Sequence, residues 1–201
     1  MESMLRKLFI VLPSLVLALS LGCGGSNTTT SGPTITSFTP TGGGVGTLVT
    51  VYGSGFTGTK AVTVCGVAVD YGTGYTDNKI VSDTEITFDV PLTVTTTGSL
   101  SITNASGTTT TAQLFDVTPT ISSRNPTSGP VGTPVFIYGY GLLGVTNVMF
   151  GSVSAPIISA STTASQLLVD VPTTGVPTGS VTITLQNDYG LGSASTLFTV
   201  N

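Results

Sequence analysis

Two thiols, a loose group of carboxylates and three loop tyrosines are the side chains whose types and spacing could do chemistry. Cys23 and Cys65 are the only cysteines, and a thiolate is both a nucleophile and a soft metal ligand. Asp70, Asp77, Asp83, Glu85 and Asp89, with Asn78 among them, crowd one stretch of the first half. Such hard oxygen donors can hold calcium. They lack the regular spacing of a calcium loop, so solvated loop carboxylates are the expectation. Tyr71, Tyr75 and Tyr189 could stack on sugar rings, since an aromatic face offers apolar area with a polar tip. What is missing excludes more. The chain contains no His, which removes the commonest general base and the commonest metal ligand. Lys60 and Lys79 stand outside any Ser-x-x-Lys motif, so no serine has an evident activating base. The chain reads as a non-enzyme without cofactor or metal.

The thiols have separate contexts. Arg6 and Lys7 precede an apolar run from Leu8 to Leu21. That run is shorter than the ~20 residues a membrane span needs, and it fits the apolar region of a secretory signal. It ends in Ser20-Leu21-Gly22-Cys23, which resembles the lipobox of bacterial lipoproteins, with Ser20 where that pattern prefers a branched apolar residue. The resemblance implies a signal peptide over 1–22, lipidation of Cys23 and anchoring in a bacterial cell envelope. Gly24 after the Cys resembles lipoproteins sent on to an outer membrane or cell surface in hosts that have an outer membrane. Residues 23–32 then read as the lipidated Cys and a flexible tether, Gly24 to Ser31 being Gly, Ser, Asn and Thr only. Such a tether spans roughly 15–18 Å. Cys65 is left without a thiol partner. It follows Val62-Thr63-Val64 and stands, on the repeat described below, opposite Phe150. A buried small hydrophobe is the expectation, with an intermolecular disulfide or redox role as the alternative.

Charged residues make up only 7% of the 201 residues, against about 25% in average domains. Beyond the leader there are eight carboxylates and three cations, Lys60, Lys79 and Arg124. Nucleic acid is thereby excluded as a partner, because phosphate binding needs clustered Lys and Arg. Thr, Ser, Gly and Asn must cover the surface instead.

The elements that position these groups come in two copies. Pro33-Thr34-Ile35 returns as Pro119-Thr120-Ile121, Val45-Gly46-Thr47 as Val131-Gly132-Thr133, and Tyr52-Gly53 as Tyr138-Gly139, each 86 residues on. Asp89-Val90-Pro91 returns as Asp170-Val171-Pro172 and Leu114-Phe115 as Leu197-Phe198, at offsets of 81 and 83 residues. Insertions and deletions therefore fall between these blocks, in loops. Within each copy the apolar period is two, as in Leu100 and Ile102 or Val181 and Ile183, which argues short half-buried strands. About seven strands per copy fit a sandwich. Gly and Pro at 40–46 and 126–132 suit tight corners with positive φ, and Gly53 and Gly55 a bulge or close backbone approach. Phe38, Phe56, Phe88, Phe115, Phe136, Phe150 and Phe198 are expected in the cores.

Pro126-Thr127-Ser128-Gly129-Pro130-Val131-Gly132-Thr133, then Gly139-Tyr140-Gly141-Leu142, then Val148-Met149-Phe150-Gly151 resemble the IPT/TIG immunoglobulin-like domain. Copy one follows with Pro40, Gly43, Gly46-Thr47 and Gly53-Ser54-Gly55-Phe56. The resemblance implies an all-β chain of two tandem immunoglobulin-like sandwiches, 33–117 and 118–201, with Thr118 alone between the repeat units. So short a junction before Pro119 predicts a semi-rigid, end-to-end pair. The implied function is a non-catalytic surface protein for adhesion, scaffolding or protein interaction. The membrane, a protein or a surface polymer would be its partners, with self-association through thinly charged sheet edges a further route. Lys60 and Lys79 are the expected edge guards. The alternatives are an accessory glycan-binding protein using Tyr71, Tyr75 and Tyr189, since such domains also accompany polysaccharide-degrading enzymes, or a subunit of a surface assembly.

Overall fold

The computed structural model describes residues 31–71, 77–159 and 165–201. Cys23, the leader and Tyr75 lie outside them. Copy one is built from β1 (Thr34–Thr39), β2 (Gly42–Gly43), β3 (Leu48–Ser54), β4 (Ala61–Val64), β5 (Val67–Ala68), β6 (Lys79–Ser82), β7 (Glu85–Asp89), β8 (Gly98–Asn104) and β9 (Gly107–Val117). Copy two repeats the series as β10 (Thr120–Asn125), β11 (Ser128–Gly129), β12 (Pro134–Tyr140), β13 (Val145–Phe150), β14 (Val153–Ala155), β15 (Ile157–Ser159), β16 (Gln166–Asp170), β17 (Gly179–Asn187) and β18 (Gly190–Val200). The sheets run β1-β3-β7-β6 over β2-β9-β8-β4-β5, and β10-β12-β16-β15 over β11-β18-β17-β13-β14. Both pairs are immunoglobulin-like sandwiches.

Among the described residues each copy has nine strands where about seven are expected, partly because its first strand changes sheets. β1 ends at Thr39, the chain turns through Pro40, and β2 pairs in parallel with β9 on the opposite sheet. β10, Pro126 and β11 repeat the crossing. At the corners that follow, Gly46 and Gly132 have φ of 76° and 79°, as the Gly-Pro clusters imply. The bulge also falls where Gly53 places it. The β1–β3 register slips between Ile35 and Ser37, and a Cβ on Gly53 would overlap the Thr34 carbonyl. Copy two slips between Ile121 and Ser123, with Gly139 against the Thr120 carbonyl.

Alternation fixes what is inside. Val49 and Val51 of β3 face Ile86 and Phe88 of β7, and Leu100, Ile102 and Phe115 close the layer from the other sheet. Burying one such side chain contributes about 1.5–3 kcal/mol. The two cores are filled differently. Phe38 meets Phe115 at 6.5 Å between ring centroids in copy one. In copy two the Phe38 position is Arg124, whose guanidinium donates to the Leu197 carbonyl. The aromatic partner of Phe198 is instead Phe150, edge-on at 5.4 Å and 85°, opposite Val64 in copy one. A ring has moved from the first strand to the fourth, and an arginine has taken the vacated sheet edge.

Two core expectations differ from the structure. Phe136 is not a core residue. Val135 and Ile137 point inward, so Phe136 faces outward, half-buried, and stacks on Tyr138 at 6.4 Å and 24°. Cys65 does not stand opposite Phe150. Val64 pairs with Val67 as Phe150 pairs with Val153, so Cys65 matches Gly151. It occupies the first position of a two-residue hairpin, where Cys65 and Gly66 have φ of 52° and 80°, the requirement of a type I′ turn.

Candidate functional site

The carboxylates of copy one do not converge. Asp83 stands in the turn after β6 and accepts hydrogen bonds from the Gly55 and Thr57 N–H groups at 3.1 and 3.0 Å. Those bonds, Thr57 first and then Gly55, hold its carboxyl below the usual range although it is exposed. Its role is to cap the loop after β3. Asn78 is buried and spans two segments: its amide donates to the Asp70 carbonyl and its Oδ1 accepts from the Asp89 N–H, both at 2.6 Å. Asn78 lines a cleft of about 480 Å³ with Ala68, Asp70, Asp89 and Leu92, but its polar atoms are spent on the fold. Among the described residues no three acidic or thiol groups are placed to share a metal ion.

Cys65 is half-buried, and its thiol lies 3.8 Å from the Phe115 carbonyl as a weak donor. Burial pushes its pKa up to about 11. A thiol held protonated is a poor nucleophile. Lys60 is not an edge guard, because β4, which follows it, is an inner strand between β8 and β5. Lys79 does sit on the outer strand β6, beside exposed Ile80 and Val81.

The tyrosines separate. Tyr71 packs on the first core with its hydroxyl buried and without a hydrogen-bond partner among the described residues. Desolvation moves its pKa upward. Tyr189 is 55% exposed at the tip of the β17–β18 hairpin, where the two sandwiches meet.

That meeting point is closely built. The Thr118 N–H donates to the Gly43 carbonyl at 3.1 Å. The buried Asn187 amide donates across the junction to the Val117 carbonyl at 3.0 Å, and its Oδ1 accepts from the Tyr189 N–H at 3.0 Å. Gly141, at φ 64°, lies against Thr118 and Val117, and a Cβ on Gly44 would overlap the Thr120 hydroxyl. Between the sandwiches runs a groove of about 230 Å³, walled by Thr95, Thr96 and Thr97 on one side and by Leu143, Asp188 and Tyr189 on the other. The repeat alone signals Asn187, because it matches Asn104, which closes the β8–β9 turn by accepting from the Ser106 and Gly107 N–H groups.

A sandwich whose first strand crosses sheets at a Pro, with the repeated glycine corners described above, is the arrangement to which the IPT/TIG domain model matches, over residues 33–117 and again over 119–200. The chain belongs to the IPT/TIG domain family. No curated protein matches it. Several solved structures resemble this IPT/TIG pair. SGBP-B from a complex xyloglucan utilization locus in Bacteroides uniformis is 22% identical, with a TM-score of 0.37, over 83% of this chain and 49% of that one. A surface glycan-binding protein of Prevotella bryantii is 18% identical, with a TM-score of 0.43, over 83% and 42%. The plexin A4 extracellular region is 23% identical, with a TM-score of 0.38, over 89% and 19%. The chain spans about half or less of each of these longer proteins, and the likeness is of fold alone.

Proposed function

We propose that the protein is a non-catalytic presenting rod of a bacterial cell envelope. A lipid on Cys23 holds it to the membrane, residues 24–32 are the tether, and the two IPT/TIG sandwiches project outward to engage a protein or surface polymer. The junction is the observation that carries this reading. Thr118 is the only residue between the matched segments, Pro119 fixes its own φ, and the Asn187 amide binds the last carbonyl of β9. A chain that needed two independent binding heads would join them by a free linker. This one docks them, which suits a spacer of set length.

The reading is tested on cells. Mass spectrometry of the membrane-extracted protein is expected to find a diacylglyceryl group on Cys23, and protease added to intact cells is expected to cut the loops. An unmodified Cys23, or full protection of both sandwiches, overturns it. Self-association is a second reading, favoured by the outer strand β6, where Ile80 and Val81 are exposed beside a single Lys79. An unpaired apolar edge of this kind can add a strand from another copy. Concentration-dependent oligomers lost in Val81→Lys would support it.

A further inference from the structure

The two copies offer an internal control for what each turn must be. The β8–β9 turn reads Asn104-Ala105-Ser106-Gly107, and its counterpart between β17 and β18 reads Asn187-Asp188-Tyr189-Gly190. Both close on the same Asn and Gly. The turn of copy one, which lies beside Gly32 at the N-terminal end of that sandwich, carries Ala and Ser, whereas the turn at the junction carries a carboxylate and an aromatic ring. The opposite wall differs in the same sense. Thr95-Thr96-Thr97 matches Val176-Pro177-Thr178 of copy two, and only the junction member presents three hydroxyls. Leu143, 46% exposed beside Tyr189, stands where copy one has Thr57. Neither turn closure nor strand pairing asks for these differences, since the sister copy folds the same way without them.

We propose that the junction groove is a binding site for a neutral saccharide. Tyr189 and Leu143 supply an apolar platform for one face of a sugar ring, as aromatic rings do for flat apolar partners. Asp188 accepts hydrogen bonds from ring hydroxyls, and charge-assisted bonds of this kind are the strong ones. Thr95 and Thr96 offer exposed hydroxyls from the facing wall. Thr97 has one acceptor site taken by the Val117 N–H, which leaves its own proton to donate. Among the described residues the groove walls contain no cation, so phosphorylated or acidic sugars are disfavoured by Asp188. At about 230 Å³ the groove is smaller than the ~300–1,000 Å³ that encloses a drug-sized ligand. It takes one or two rings, a chain end and not a long run. The platform is preorganised, because Asn187 holds the Tyr189 N–H and the neighbouring sandwich together.

The site rests on the docked junction of the presenting-rod reading, and the test keeps the two apart. The full chain in detergent is titrated by calorimetry with neutral gluco-, manno- and galacto-oligosaccharides, and with oligogalacturonate as the anionic arm. At least one neutral series is expected to bind, with little or no binding of the anionic one. Tyr189→Ala is expected to weaken it about tenfold or more, Asp188→Ala to weaken it as well, and Phe136→Ser/Tyr138→Ser on the outer sheet face to leave it unchanged. Tyr189 is exposed, so its variant keeps its circular dichroism and melting point. No binding across the neutral panel, equal binding of the anionic arm, or loss confined to the Phe136/Tyr138 variant overturns the site. The rod reading is unaffected by those results, and it fails separately if scattering shows a free hinge.

Discussion

Replacing Asn187 tests the junction at a single side chain. Asn187→Ala removes the amide donor to the Val117 carbonyl and the Oδ1 acceptor of the Tyr189 N–H, each at 3.0 Å. The residue is only 7% exposed, so water does not replace either partner freely. Losing the turn bond costs about 1 kcal/mol and orphaning a buried carbonyl about 1–3 kcal/mol. The sum is about 2–4 kcal/mol. For a domain of this size each kcal/mol lowers Tm by about 4–8 °C, so the second sandwich is expected to melt at least ~8 °C lower. Asn187→Asp separates the two bonds. It keeps the acceptor for Tyr189 but sets a carboxylate oxygen against the Val117 carbonyl, so the hairpin survives while the junction loses its donor. The partner control is Asn104→Ala, which loses bonds to Gly55, Ser106 and Gly107 and is expected to destabilise the first sandwich without moving the second against it. Calorimetry resolves the two melts and scattering reads the junction. An Asn187→Asp protein with wild-type melting and wild-type scattering would refute the assignment of Asn187 as the junction staple.

Three further outcomes follow from named contacts. Gly53→Ala is expected to cost more than the about 1–2 kcal/mol of a side chain forced into positive φ, because its Cβ meets the Thr34 carbonyl and the Phe56 ring, whereas Gly58→Ala faces open space at φ 74° and is expected to cost only that amount; urea titration ranks the pair. Cys65 has a folded pKa of about 11 against 9.0 for the free thiol, so its contribution is complete below pH 9 and is lost as pH rises toward 11. Cys65→Asn, which suits the positive φ of that turn, is expected to flatten this alkaline loss in a Tm-against-pH series, and wild-type Cys65 is expected to resist thiol reagents at pH 8 until denaturant is added. Asp83 is held below its ordinary pKa by the Thr57 and Gly55 N–H groups, so its contribution is present above the usual carboxylate range and fades as pH falls through the lowered value. Asp83→Asn is expected to remove that acid-limb dependence, with no change in slope at alkaline pH.

Much of the architecture is legible in the chain because the duplication repeats the positions at which the backbone has no freedom. Gly53 and Gly139 recur since each bulged first strand brings a carbonyl onto them, and Gly46 and Gly132 since each corner needs positive φ. Phe136 was legible too. Val135 and Ile137 set the phase of β12, and the match to half-buried Thr50, which alternates with buried Val49 and Val51, puts the ring outside, yet aromatic character alone suggests a core. Val64-Cys65-Gly66 matches Met149-Phe150-Gly151 by residue type, but strand pairing aligns Val64 with Phe150, and this one-residue slip exchanges a core position for a turn. The junction was legible as a short connection but not as a groove. Which turn of copy two faces which loop of copy one depends on the angle between the sandwiches, and that angle is set by contacts between residues far apart in sequence, such as Asn187 with Val117. Tyr71 and Tyr189 look equivalent as loop tyrosines, and only packing separates the ring on the core from the ring in the groove.

The presenting-rod proposal requires that the two IPT/TIG sandwiches form one body of fixed length. Small-angle scattering on residues 31–201, which contain both cores, tests it most directly. A single docked arrangement is expected to fit the curve, and Asn187→Ala to broaden it into several. A wild-type curve that needs an ensemble of hinge angles, unchanged by Asn187→Ala, would contradict it.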